Sequence, residues 1–157
     1  MIDTVELEKI LIKHEGLRLK PYRCTAGKLS IGVGRNLDDN GISRSEAMTM
    51  LRNDINACLA DLSFFLPWYH ALDANRKKAL INMCFNLGIS RLRGFENMLD
   101  ALRTADWQKA HDEALFNFVP VYENGKIVRW IKRDTVWAKQ VGKRAQEIAK
   151  TFLTGEL

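Results

Sequence analysis

Apolar residues recur at helical spacing over most of this chain, and the interruptions are few. Leu7, Ile10, Leu11 and His14 predict a helix over residues 3–14, with Asp3 standing three before Glu6 in capping-box order. Glu15 falls at its C-terminal end and Gly16 supplies the stop. From Pro21 to Gly41 the pattern changes to alternation: Leu29, Ile31 and Val33 are apolar, while Ser30, Gly32 and Gly34 occupy the positions between them. This predicts a short strand region with turns, one of whose faces carries almost no side chains and leaves room for a bulky group.

Helical spacing resumes at Ser43. Ser43 and Glu46 form a second capping box ahead of Ala47, Met50, Leu51, Ile55 and Leu59, a long amphipathic helix ending before Pro67. Asp73 caps a helix through Leu80, Ile81, Met83, Cys84 and Phe85 to Gly88, another follows Gly94, and Asp106 caps one through Trp107, Ala110, Ala114 and Leu115. Pro120 and the Asn124-Gly125 turn interrupt the pattern before a last helical segment from about Thr135 to Phe152. The fold class expected is α+β and predominantly helical, in a single domain of 157 residues. Its expected parts are a small strand-bearing lobe (about 15–43), a connecting helix (about 44–66) and a helical lobe (about 1–14 and 67–157).

Composition narrows the class. At 46% hydrophobic and 27% charged residues the chain has ordinary globular usage. No window approaches the ~18 consecutive apolar residues of a membrane span, and no signal peptide is visible, because charge alternates with apolar residues from the start. The net charge of +5 favours a polyanionic partner. It is concentrated in residues 126–150, where eight Lys or Arg face two acids, Asp134 and Glu147, interleaved with Ile127, Val128, Trp130, Ile131 and Trp137. Such a segment suits contact with an anionic membrane or polymer; equally, it suits a solvated face that aids solubility. No groove-reading motif accompanies it, so a specific nucleic-acid partner is not expected. Three cysteines without close spacing predict reduced thiols, with Cys58 and Cys84 packed on apolar helix faces. His14, His70 and His111 form no ligand pair, and neither a metal nor another cofactor is expected.

A carboxylate at a helix end that faces a glycine-lined strand is a candidate general acid, and Glu15 is so placed. The string around it is informative. His14-Glu15-Gly16-Leu17-Arg18-Leu19-Lys20-Pro21-Tyr22, then Cys24-Thr25-Ala26-Gly27 and Ser30-Ile31-Gly32-Val33-Gly34, resembles the opening of the phage lysozymes, or endolysins, of glycoside hydrolase family 24. The resemblance continues through Leu72-Asp73-Ala74-Asn75-Arg76, Ile81-Asn82-Met83-Cys84-Phe85-Asn86-Leu87-Gly88, Gly94-Phe95, Trp107 with Ala110, Trp137, Gln140 and Lys143-Arg144-Ala145 to Thr151-Phe152 and Thr154-Gly155. It spans most of the chain in order. Two stretches depart in length, a shorter one between Gly34 and Gly41 and an insertion over about 116–133.

The family's catalytic pattern is a Glu, eight residues, an Asp or sometimes a Cys, five residues and usually a Thr, and this chain matches it with Glu15, Cys24 and Ser30. The resemblance implies a lysozyme-like fold in which Glu15 protonates the glycosidic oxygen while Cys24 and Ser30 orient and activate a water on the opposite face of the sugar. A free thiol has a pKa near ~8.5, so Cys24 needs a neighbour that favours its ionised form. Arg18, Lys20, Arg23 and Lys28 are the basic residues near it in sequence. Ionised, it serves as a base for water or as a covalent nucleophile, and both remain open. The resemblance also places Arg144 where a guanidinium pairs with the catalytic Glu, and Phe85 and Met98 where side chains line the saccharide cleft. Core packing is an equal reading for Phe85 and Met98. Of Trp68, Trp107, Trp130 and Trp137, any can stack on a sugar ring, although Trp107 and Trp137 fall on helical core positions.

The expected function is hydrolysis of the β-1,4 bond between N-acetylmuramic acid and N-acetylglucosamine in bacterial peptidoglycan, for host cell lysis. The alternatives are a lytic transglycosylase acting on the same bond and a non-catalytic basic wall-binding module. The expected partner is peptidoglycan, met by a monomer that a separate holin-like pore releases from the host cytoplasm to the wall or periplasm. Residues 126–150 are the expected anionic-envelope contact.

Overall fold

The computed structural model describes residues 3–157. They form two compact units, one up to Leu51 and the other Arg52–Leu157.

In the first unit α1 (Thr4–Glu15) begins where expected, because one Asp3 oxygen accepts the N–H groups of Val5 at 2.9 Å and Glu6 at 3.2 Å. It stops at Gly16, whose φ of 76° ends the helix. Strands β1 (Arg18–Arg23), β2 (Leu29–Gly32) and β3 (Arg35–Asn36) form an antiparallel sheet in chain order. A short helix, α2 (Leu37–Asn40), follows under an Asn36 cap. Ser43 and Glu46 form the predicted capping box at the start of α3 (Arg44–Phe65), with Ser43 N–H donating to Glu46 at 2.7 Å and Glu46 N–H to the Ser43 hydroxyl at 3.2 Å. Arg35 ties β3 to this corner by donating to Glu46 at 2.9 Å and to the Gly41 carbonyl at 2.8 Å.

One expectation is corrected in β2. The strand ends at Gly32, Val33 lies in the turn, and Ser30 is buried at 2% exposure. The reason is the register: β2 is the central strand, and Ser30 pairs with both Tyr22 and Asn36, whose strands cover it from the two sides. The bare face is therefore confined to the Gly34 turn. The observed units also divide the chain differently from the expected lobes, for α1 falls with the strands and the boundary cuts α3 at Leu51.

The second unit is built on helices. After the end of α3 come a 3₁₀ turn (Pro67–Ala71), α4 (Ala74–Leu87), α5 (Ile89–Leu92), α6 (Glu96–Arg103) and α7 (Trp107–Leu115). Asp73 and Asp106 cap α4 and α7 as predicted. Leu62, Leu80, Met83, Leu92, Met98 and Phe152 form the part of its core with no exposed surface. Ala110 and Ala114 of α7 and Ala145 and Ala149 further along are also fully covered, small side chains that let α7 approach the last helix closely.

Two expectations change here. The interruption over 116–133 is a regular hairpin, β4 (Phe116–Glu123) and β5 (Lys126–Asp134), closed by Asn124 and Gly125 with φ of 49° and 75°. Two consecutive left-handed residues give the turn whose twist matches paired strands. The last helical segment is two helices, α8 (Val136–Val141) and α9 (Lys143–Thr154), broken at Gly142 with φ of 52°. Buried Thr135 closes the hairpin's base, donating its N–H to the Leu115 carbonyl at 2.8 Å and its hydroxyl to that of Ala114 at 3.2 Å. Among the described residues no helix is long and apolar enough to cross a membrane.

Arg76 organises the unit's C-terminal end. Its guanidinium donates to the carbonyls of Phe152 at 2.8 Å and Leu153 at 3.0 Å, pairs with Asp73 at 2.7 Å and stacks 3.9 Å over the Trp107 ring. It thus satisfies carbonyls that the end of α9 leaves unpaired. The side chain is 11% exposed, so solvent replaces few of these bonds when it is removed. Arg76→Ala is expected to cost about 2–3 kcal/mol and to lower the Tm by about 5–10 °C in a calorimetric scan, from lost charge-assisted hydrogen bonds and ring contact.

Candidate active site

Glu15 is the last residue of α1, an exposed carboxylate held at a helix end. The backbone beside it belongs to the β2–β3 turn. A Cβ placed on Gly34 would lie 3.5 Å from a Glu15 carboxylate oxygen, and Gly34 has φ of 70°. The backbone angle favours glycine there, and it leaves the carboxylate beside bare backbone.

Cys24 lies between β1 and β2 in a tight loop. Its N–H donates to the Lys28 carbonyl at 2.9 Å, and the Gly27 N–H donates to the Cys24 carbonyl at 2.8 Å. This folds the loop over the sulfur. The Ala26 N–H, then the Lys28 N–H, and more weakly the Ser30 hydroxyl donate to the thiol group and hold its pKa below the ordinary cysteine value, while partial desolvation opposes them. Ser30 Oγ also lies 3.4 Å from the Lys28 carbonyl, so its single proton has two acceptors on this loop. The sheet register thus brings Cys24 and Ser30 together, and the same hairpin carries Gly34 to Glu15.

The expected cause of thiol activation is corrected. Lys28 is paired with Asp39 at 2.8 Å, Arg23 donates to the Gly27 carbonyl at 2.8 Å, and Arg18 stacks 4.4 Å over Tyr22. Basic side chains do not set the thiol; backbone amides do. Burial, by contrast, pushes the Cys84 thiol up to about 12, with Cys58 and Asp61 adding to the shift. Cys84 is 1% exposed in the core, as expected, and Cys58 packs against it. In a timed iodoacetamide reaction followed by peptide mass spectrometry, Cys24 is expected to be alkylated well ahead of Cys84. Its rate should rise with pH around a midpoint below that of free cysteine, since the thiolate is the reacting form.

The remaining predicted residues lie in the second unit. Arg144, at the start of α9, donates to the side-chain oxygen of Asn82 at 2.9 and 2.6 Å and to its backbone carbonyl at 3.2 Å. The two border a cleft of about 400 Å³. Phe85 on α4 is 41% exposed, open to a ligand. Met98, for which cleft lining and core packing are equal readings, is fully buried on α6 and also lines a cleft of about 640 Å³ bordered by Phe95, Trp137 and Gln140. Trp137 is itself core, with its indole N–H donating to Asn86 at 2.8 Å. Asn82 and Asn86 are the polar partners that sequence reasoning missed, and their four-residue helical spacing to each other was the available signal.

This arrangement places a carboxyl group, a thiol and a hydroxyl near that thiol on the first unit, and clefts with amide, guanidinium and aromatic borders on the second. The Phage lysozyme family model matches residues 12–147, and the chain belongs to that family of glycosidases. Over 182 residues it is 29% identical to the pre-baseplate central spike protein Gp5 of Enterobacteria phage T4, covering 98% of this chain but only 28% of that protein. It is 26% identical to the probable T4-type lysozyme 2 of Dictyostelium discoideum, over 96% of this chain and 95% of that one. With an endolysin of Acyrthosiphon pisum secondary endosymbiont phage 1 it shares 33% identity over 66% of this chain and 72% of that one.

Proposed function

We propose that this protein is a lysozyme that hydrolyses the β-1,4 bond between N-acetylmuramic acid and N-acetylglucosamine in peptidoglycan. The observation that carries the reading is the Cys24 loop, in which two amides and the Ser30 hydroxyl favour a thiolate at the family's base position. Glu15 gives its proton to the glycosidic oxygen as the bond to the anomeric carbon breaks, and the leaving sugar departs with a free hydroxyl. The thiolate of Cys24 then either takes a proton from the water that attacks the anomeric carbon or attacks that carbon itself, with water later displacing the sulfur. Ser30 orients the water in the first route. Phe85 and Arg144 contribute to holding the glycan.

Within this reading residues 15–43 act as the catalytic small lobe and 44–66 as the connecting helix. We assign the activity to host cell lysis, by a monomer that reaches the wall or periplasm from the host cytoplasm through a separate holin-like pore, with residues 126–150 meeting the anionic envelope. Mass spectrometry of digested peptidoglycan tests the chemistry. Muramic-ended fragments one water heavier than their anhydro counterparts support hydrolysis, and anhydro-muramic ends would replace the proposal with transglycosylation.

A further inference from the structure

Trp130 differs from the other tryptophans of this chain. Its ring is 58% exposed, whereas Trp137 is 3% exposed and Trp68 and Trp107 pack against the core. Exposed indoles on a two-stranded hairpin lack a core beneath them, so their surroundings decide what they are for. The register pairs Phe118 with Lys132 and Pro120 with Trp130, which sets Phe118 and Trp130 on one face of the hairpin. Lys132 fixes that face by donating to Asp112 at 3.3 Å and lying 5.1 and 5.5 Å from the centres of the Phe116 and Phe118 rings.

Phe118 and Trp130 form the aromatic wall of a cleft of about 480 Å³, whose other borders are Asn97 of α6, Glu113 of α7 and Asn117 of β4. The polar side is organised, because the Asn97 side-chain amide donates to the Glu113 carboxylate at 3.3 Å. Asn97, Glu113 and Asn117 also border the 640 Å³ cleft, so the two spaces join along one side. A volume of this size suits a small ligand or one segment of a polymer, and joined clefts suit the polymer.

The chemistry selects among polymers. A phosphate or other anion would meet the Glu113 carboxylate, while Arg129 and Arg133 pair with Val121 and Asn117 at the alternate positions of the strand, on the opposite face from Trp130. A purely apolar ligand would desolvate the Asn97 amide and the Glu113 carboxylate without replacing their hydrogen bonds. What fits is a neutral ring with one flat C–H face for the indole and hydroxyl or acetamido groups at its edge for Asn97 and Glu113. We infer that this cleft is a saccharide-binding subsite carried by the β4–β5 hairpin, taking a pyranose of an N-acetylated glycan. The inference deepens the reading of the protein as a peptidoglycan hydrolase and rests on it for the identity of the glycan.

The test uses the full chain carrying Glu15→Gln, with nitrogen-15-labelled tryptophans, titrated with a β-1,4-linked N-acetylglucosamine tetramer. Each tryptophan gives one indole N–H signal, assigned by single Trp→Phe variants. The Trp130 signal is expected to shift saturably. Asn97→Ala should raise the Kd read from that shift about tenfold, equivalent to about 1.4 kcal/mol. Unchanged Trp107 and Trp137 signals verify that the variant folds, and Asn97→Asp provides a second substitution of similar size. A Trp130 signal that stays still while the tetramer moves other signals would overturn the inference. So would a shift produced by phosphatidylglycerol vesicles and not by the tetramer, which would make the hairpin a membrane contact. An unmodified chain that clears no wall, yet whose Trp130 responds to the tetramer, would refute the hydrolase reading and leave this site standing.

Discussion

Glu15→Gln is expected to reduce clearing of permeabilised Gram-negative cells at least about 100-fold, the scale of a lost general acid. Gln has the same shape and can hold the same place at the end of α1 beside Gly34, but it has no proton to give to a leaving sugar oxygen. Because Glu15 is exposed and lies at a helix terminus, the substitution removes no core contact. Stability should therefore change by no more than about 0.5 kcal/mol, measured by denaturant unfolding of both proteins. Inactivity with an unchanged unfolding midpoint identifies a chemical role. Undiminished clearing by the Gln variant would remove Glu15 from the mechanism, and with it the assignment of the acid.

Most of the helices were legible because their starts are written locally. Asp3, the Ser43–Glu46 pair, Asp73 and Asp106 each satisfy N–H groups two or three residues away, and that chemistry needs no knowledge of the rest of the chain. The hairpin was missed for a different reason. Asn124-Gly125 was visible as a turn, but Phe116 and Asp134 are eighteen positions apart and their pairing is set by the whole register, with a bulge near Val121 and Tyr122. Gly142 splits the last helix through one backbone angle, which composition does not reveal. The site divides along the same line. The family resemblance pointed to Glu15, Cys24 and Ser30, whereas the direction of the Ala26 and Lys28 amides exists only once the loop has closed, and the nearby cations that sequence suggested are engaged elsewhere. Arg144 finds Asn82, sixty-two residues earlier, by tertiary packing alone.

The substitution series at Cys24 asks whether those amides serve a base. Donors aimed at a sulfur anion also suit a carboxylate, which accepts the same N–H groups in an Asx-type turn. Cys24→Asp is therefore expected to clear cells within about tenfold of the unmodified protein, and Cys24→Ser, whose hydroxyl does not ionise in the working range, to lose at least about 100-fold. The pH profiles separate this from a structural role. In the unmodified protein activity should rise with pH as the thiol ionises, with a midpoint below that of free cysteine because the Ala26 and Lys28 amides lower it. With Asp the same rising limb should move to markedly lower pH, since a carboxyl ionises about four to five units below a thiol. A bystander thiol would give three superimposable profiles, and then Ser30 would have no base beside it to assist.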